Sequence, residues 1–324
     1  HLSLRRQRQM CIRDSANGLQ LNLRHAPQLK RSAAALRVHA GSHDAPARWP
    51  GLAHFLEHLL FLGTARFALT DGLMRHVQRL GGEVNASTAE RHTDFFFEVP
   101  PAGLDGALLR LCDMLAEPQL DLQRQLRERE VIHAEFIAWS RDHQAQRRFA
   151  LLQAVSPRHP LSGFHAGNRY SLPLRDPAFQ QALRGYHQRF YQGGQITLSL
   201  TGPQSLDELE QLARRHAALF AYATRLRPET PAPLGDGPLR LRQAPASHCD
   251  LLFAHEALPA GALQALELLL DLLRDNRPGG WLAELRRRGW LQACSAQPLY
   301  AHAGQLLWHI ELQLTATASP GQVQ

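Results

Sequence analysis

The sequence is nearly without lysine. Of its 36 basic residues only Lys30 is a lysine, and the arginines are spread among Asp and Glu along amphipathic segments. The formal charge of +7 therefore does not gather into a basic stripe, and a nucleic-acid partner is not expected. The densest run, Arg286-Arg287-Arg288, stands before Gly289 and reads as a helix C-terminus, where cations suit the dipole. Cysteine is scarce as well. Cys11, Cys112, Cys249 and Cys294 include no C-x-x-C pair, which excludes a cysteine-built metal or redox motif. Free thiols in a reducing compartment are expected, the cytoplasm first, with the periplasm left open. No apolar run is long enough to span a membrane, and the N-terminus lacks the order of a secretory signal. The opening stretch "HLSLRRQRQMCIRDS" shows no clear periodicity. Residues 1–15 are accordingly read as a non-native or disordered leader outside the fold.

The rest of the chain is strongly patterned. Asn17-Gly18 is a hairpin-turn signal. "LQLNLRH" and "AAALRVHAGS" read as strands, "GLMRHVQRLGG" and "LDGALLRLCDMLAEP" as helices, and "EVNASTAERHTDFFFEVP" as a long strand or hairpin. A helical stretch runs from about Leu120 to Val155. "PAFQQALRGYHQRFY" is a helix, "QITLSLTG" a strand, and "SLDELEQLARRHAALF" a helix with a Ser205–Glu208 capping box. Residues 226–238 are rich in Pro and Gly and read as a linker. Beyond it the strand–helix order begins again with "LRLRQA", "DLLFAHEA", "ALQALELLLDLLRD", "WLAELRRRG" and "QLLWHIELQLT". The pattern predicts an α+β sandwich, a mainly antiparallel sheet with helices packed on it. One full unit over residues 16–225 would be followed by the start of a second over 239–324.

Helix "LAHFLEHLLFL" is apolar almost all round and should be buried, yet it carries His54, Glu57 and His58. Buried without partners, such groups cost several kcal/mol, roughly. His54 and His58 stand one turn apart on one face, a spacing that lets two imidazoles reach one Zn²⁺. Glu57 borders that face, placed to take a proton from a water on the metal. A third ligand must come from another element. In "LREREVIHAEFIAW", Glu128 and Glu135 share a helix face. Glu135, in an apolar stretch, is the candidate third ligand, and Glu128 the group that orients another ligand. A lone core histidine would ordinarily be structural; the joint pattern of two His and three Glu is what points to zinc. His255-Glu256 is not a second such motif, since no His follows at H-E-x-x-H spacing. The "FFF" at 95–97 reads as strand core.

The order H-x-x-E-H, with 76 residues between His58 and Glu135, resembles the M16 metallopeptidases, the pitrilysin and insulysin family. "GGEVNAST" and "HPLSGFHAGN" match further signatures of that family. The resemblance implies His54, His58 and Glu135 as zinc ligands, Glu57 as general base and Glu128 as their support. It implies Asn85, Ala86 and Thr88 on an edge strand that pairs with a peptide substrate. It also implies a partner, either the C-terminal half of the same enzyme or an inactive M16 subunit, which supplies an Arg and a Tyr near the substrate. The expected function is zinc-dependent endoproteolysis of a small peptide. The alternatives are a general oligopeptidase and a non-catalytic scaffold that has kept the fold.

Overall fold

The computed structural model of the chain describes residues 10–227, 229, 231–235, 248–259, 261–316 and 318. The fold divides into two compact units, His1–Asp142 with Phe164–Arg227, and His143–Gly163 with Pro228–Gln324.

The first unit is built on a six-stranded sheet. Its strands are β1 (Met10–Asp14), β2 (Gln20–His25), β3 (Ser32–Val38), β4 (Glu83–Thr88), β5 (Thr93–Val99) and β6 (Ile196–Gly202), in the order β1-β2-β6-β3-β5-β4. Only β2 and β6 pair in parallel. Alternation in these strands sends Leu21, Leu23, Leu36, Phe95, Phe97 and Leu198 into one core. The helices that cover this core are α1 (Leu52–Leu60), α2 (Leu73–Arg79), α3 (Leu104–Ala116), α4 (Leu122–Trp139), α6 (Pro177–Phe190) and α7 (Leu206–Ala217). The expected capping box starts α7: the Ser205 backbone N–H donates to Glu208 Oε2 at 2.8 Å, and the Glu208 N–H to Ser205 Oγ. Central Phe96, in contrast to its two neighbours, lies on the other sheet face and is 43% exposed. The "FFF" stretch is thus core at two positions and open surface at one.

The second unit holds α5 (His143–Leu152), β7 (His248–His255), α8 (Ala262–Arg274), α9 (Trp281–Arg287), β8 (Leu291–His302) and β9 (Gln305–Leu314), with strand order β7-β9-β8. Leu266 and Leu270 of α8 and Leu282 and Leu285 of α9 pack with Trp308, Ile310 and Leu312 of β9.

Five readings of the sequence change here. Residues 10–14, set aside as leader, form β1, paired antiparallel with β2 from Met10↔Arg24 to Asp14↔Gln20. The single long helix is two, α4 and α5. It stops at Ser140, whose hydroxyl donates back to the Ile137 carbonyl at 2.8 Å and competes with the helical ladder. Residues 143–163 consequently join the second unit rather than the first. Leu151, Val155 and Leu161 pack with Leu252, Tyr300 and Leu307, and the Arg147 guanidinium pairs with Asp250 and Glu311. The boundary expected at 225 is therefore supplemented by this earlier segment. Finally, β8 was not foreseen, because Pro298 interrupts its pattern; the register shifts there, between Pro298 and Tyr300. From the stretch read as linker, Leu234 is buried in the second unit, its N–H donating to Glu256 Oε1 at 2.6 Å. The strand expected at "LRLRQA" lies outside the described residues. No helix among the described residues is long and apolar enough to cross a membrane.

Candidate metal centre

Helix α1 buries Leu52, Ala53, Phe55, Leu56, Leu59 and Leu60 against the sheet and its neighbouring helices. Its remaining stripe holds His54 and His58, whose side chains are 25% and 18% exposed. The helix thus has a polar seam that opens outward, beside α4. Its start depends on a close backbone approach. Gly51 sits at φ +92, and a β-carbon there would stand 2.2 Å from the Gly167 Cα. Two facing glycines let the 166–167 loop touch the first turn of α1. That contact brings the Ala166 carbonyl to His54 Nδ1, 2.7 Å away.

These partners set the tautomers. His54 Nδ1–H donates to Ala166, and His58 Nδ1–H donates to Glu128 Oε1, also at 2.7 Å. Each ring therefore turns a bare Nε2 away from those partners. Both point to one place, where Glu135 Oε2 lies 3.7 Å from His54 Nε2 and 3.6 Å from His58 Nε2. The two rings stand edge to face at 89° with centroids 4.8 Å apart. Two ligands about 2.0–2.1 Å from a tetrahedral zinc are separated by roughly 3.3 Å. Glu135 Oε2 is near that separation from both imidazole nitrogens, and the three ligand atoms, all within 4.8 Å of one another, would draw together around an ion. Two neutral imidazoles and one carboxylate are also the donor types that zinc takes in open, catalytic sites. Glu135 is itself half exposed, not buried as its apolar neighbours suggested, because α4 presents this edge outward.

The electrostatics favour a cation. Burial by itself lowers the His58 pKa, but the hydrogen bond to Glu128 and the charges of Glu135, Glu128 and Glu57 outweigh it and hold it above the ordinary value. A proton and a metal ion compete for the same imidazole nitrogen, which couples metal affinity to pH. Glu57 is 8% exposed, and its charge is felt at His58. It accepts from the Thr88 hydroxyl, Oγ1 to Oε2 2.5 Å. Burial, and next the Glu57 charge, pushes the Tyr191 phenol well up, so that it stays protonated.

The structure brings together His54, His58, Glu57, Glu128, Glu135 and Thr88. It turns one of the two other edge-strand residues away, while Ala86 keeps the face of Thr88. Asn85 points to the opposite face of β4 from Thr88 and accepts from its neighbour's Ala86 N–H at 2.9 Å. The Ala166 carbonyl and the Thr88–Glu57 bond were missed in the sequence: a backbone acceptor has no residue signature, and Thr88 was read for its main chain. His159 of "HPLSGFHAGN" belongs to the second unit, where it is buried and accepts from the Leu161 N–H. Glu256 of the His255-Glu256 pair serves Gln305 and Leu234.

Comparison with known proteins agrees with this architecture. Residues 21–164 match the Insulinase (Peptidase family M16) family, and residues 179–323 match the Peptidase M16 inactive domain. The chain is 68% identical over 307 residues to Coenzyme PQQ synthesis protein F of Pseudomonas putida, covering 95% of this chain and 39% of that protein. It is 46% identical to the protein of that name in Pseudomonas aeruginosa, covering 92% of this chain and 39% of the relative. Protease 3 of Escherichia coli is 31% identical, over 86% of this chain and 30% of its own length. The chain thus spans under two-fifths of the curated relatives it matches. Among solved structures, pitrilysin superposes with a TM-score of 0.83 at 28% identity, over 95% of this chain and 34% of pitrilysin. A protease from Helicobacter pylori, at 20% identity and TM-score 0.79, shares the fold over 97% of this chain and 77% of its own. Two matched segments of one family, a pitrilysin-like fold and an H-x-x-E-H helix facing a glutamate lead to one conclusion: the chain belongs to the M16 peptidase family.

Proposed function

We propose that this chain carries the zinc-binding and water-activating part of an M16 metallopeptidase. The observation that carries the proposal is the convergence of His54 Nε2, His58 Nε2 and Glu135 Oε2 next to a carboxylate, Glu57, that is outside the ligand set. His54, His58 and Glu135 would hold the ion. When bound, zinc supplies Lewis acidity, lowering the pKa of a coordinated water toward about 7 and polarising the scissile carbonyl. Glu57 takes the proton of the attacking water and passes it to the leaving amine. Glu128 and the Ala166 carbonyl hold the two imidazoles in the tautomer that leaves Nε2 free. The attack is direct, and no side chain forms a covalent intermediate. Strand β4, at the sheet edge, offers main-chain groups on which an extended peptide adds as a further strand, alongside Asn85, Ala86 and Thr88.

The similarity to relatives named Coenzyme PQQ synthesis protein F supports a narrow substrate: the PqqA-derived peptide of pyrroloquinoline quinone biosynthesis, after its Glu and Tyr side chains are joined. The similarity to Protease 3 supports the broader oligopeptidase reading. A non-catalytic scaffold has no need of Glu57 and its ligand neighbours. Enclosure of the substrate falls to a further M16 half, the C-terminal part of a longer chain or a separate inactive subunit, and the site of action is the cytoplasm. The test loads the chain with zinc and assays the PqqA-derived peptide and an unrelated peptide. Each assay is run with and without the C-terminal half of the Pseudomonas putida relative. Zinc binding by the chain alone, with hydrolysis of the PqqA-derived peptide restored by the added half, is expected. Equal cleavage of both peptides would favour the oligopeptidase, and no cleavage under any condition the scaffold.

A further inference from the structure

The Glu57 carboxylate is nearly buried, and among the described residues its one hydrogen bond comes from Thr88 Oγ1, at 2.5 Å. A glutamate has three side-chain torsions, so its carboxylate is placed only as well as its partners hold it. Thr88 is suited to that task. Its χ1 is stiff because it is β-branched. It is the last residue of β4, in register with Thr93 of β5, and it shares with Ala86 the face that packs toward α1.

The turn after Thr88 is tied down on its far side. The Ser42 N–H donates to the Ala89 carbonyl and the His43 N–H to the Glu90 carbonyl, each at 2.9 Å. The Thr93 hydroxyl donates to the Ala40 carbonyl at 2.9 Å, and Arg91 pairs with Asp44 at 3.1 Å. Gly41 makes this approach possible, since a β-carbon there would lie 2.2 Å from the Ala89 carbonyl oxygen. Thr88 is therefore the end of a clamped hairpin, not a loose strand tip.

From this geometry we infer that Thr88 is a positioning residue for the peptidase reaction: its hydroxyl fixes Glu57 Oε2 and leaves Oε1 for the attacking water. The inference rests on the peptidase reading above and replaces, for the Thr88 side chain, the role of contacting substrate. It has a structural consequence. The edge strand whose main chain is expected to receive the peptide is the same strand that sets the base, so substrate register and base position are fixed by one element. The neighbouring Thr93 hydroxyl does not compete for Glu57, because it donates to the Ala40 carbonyl.

The test compares Thr88→Val, which keeps shape and removes the donor, with Thr88→Ser, which keeps the donor. Zinc content, kcat, KM and crystal structures are measured for both, in the zinc-loaded chain with the C-terminal half of the Pseudomonas putida relative supplied. In Thr88→Val a kcat loss of roughly 10–100-fold is expected, the scale for misplacing a catalytic group. KM and zinc content stay near those of the parent, and the Glu57 carboxylate is rotated or spread over several positions. Thr88→Ser recovers most of kcat and the parent position of Glu57. A Glu57 carboxylate unmoved in Thr88→Val overturns the inference, with or without measurable turnover. So does a rise in KM alone, which returns Thr88 to substrate contact. Failure of the underlying reading is seen separately, as normal turnover in Glu57→Gln or no bound zinc in the parent.

Discussion

Two helices of similar composition have opposite fates in this chain. Helix α1 (Leu52–Leu60) and helix α8 (Ala262–Arg274) are both rich in leucine. In α1 every Leu is buried, and the three polar groups are met by Glu128, Glu135, Ala166 and Thr88. In α8 only Leu266 and Leu270 are buried, while Leu268 and Leu272 are 68% and 67% exposed. Leucine content therefore did not decide burial; the number of elements around each helix did. α1 is packed by α4, α6 and β4, whereas α8 packs on β8 and α9. The informative feature was the reverse of hydrophobicity. Titratable groups within an apolar helix demanded partners, and the partners form the one three-ligand His/Glu group among the described residues.

The most severe loss is expected at Glu57. Glu57→Gln leaves the ligands intact, so zinc content is expected to stay at the parent level while peptide hydrolysis falls by on the order of 10²–10⁴. Near-normal turnover removes Glu57 from its role. Next in size is the contrast in packing. Leu56→Ala in α1 is expected to cost about 2–5 kcal/mol by denaturant unfolding of the first unit. Leu268→Ala in α8 should stay within about 0.5 kcal/mol, as exposed substitutions do. Equal losses would mean that the exposed face of α8 is covered in solution.

Glu128→Gln is expected to weaken zinc binding by roughly 10–100-fold, the usual effect of disturbing a ligand's supporting partner. Glu135→Gln removes a donor and should weaken it more. Chelator competition measures both, and the reverse order exchanges the two assignments. The smallest effect is one of pH. Burial, with help from Arg225, Arg37 and His92, lowers the His39 pKa from 6.5 to about 4. Between those values the unfolded chain binds the extra proton, so stability falls as pH drops through this window. His39→Gln should flatten that part of the stability–pH curve, and an unchanged slope would contradict the assignment.

The sheet order was not legible in the sequence, but most of its parts were. β2, β3, β5 and β6 alternate clearly because one face is buried, and α7 announced its start through Ser205 and Glu208. β1 was missed although Asn17-Gly18 marks a hairpin, and a hairpin turn has two arms. Its residues are largely exposed, so burial imposes no alternation on them. The grouping of His54, His58 and Glu135, with Glu57 on the same helix, was legible because side-chain chemistry at fixed spacing survives in sequence. The Ala166 carbonyl, the glycine contact behind it and the aim of Thr88 were not, since they depend on which backbones touch.

The most direct test of the central claim is zinc K-edge X-ray absorption on the purified chain, with the metal content quantified in the same sample. One zinc per chain is predicted, bound by two imidazole nitrogens and at least one oxygen at about 2.0–2.2 Å, with no sulfur. Loss of the imidazole signal in His54→Ala and His58→Ala should accompany it. A sulfur shell, or zinc whose imidazole signal is the same in both variants, would contradict the account.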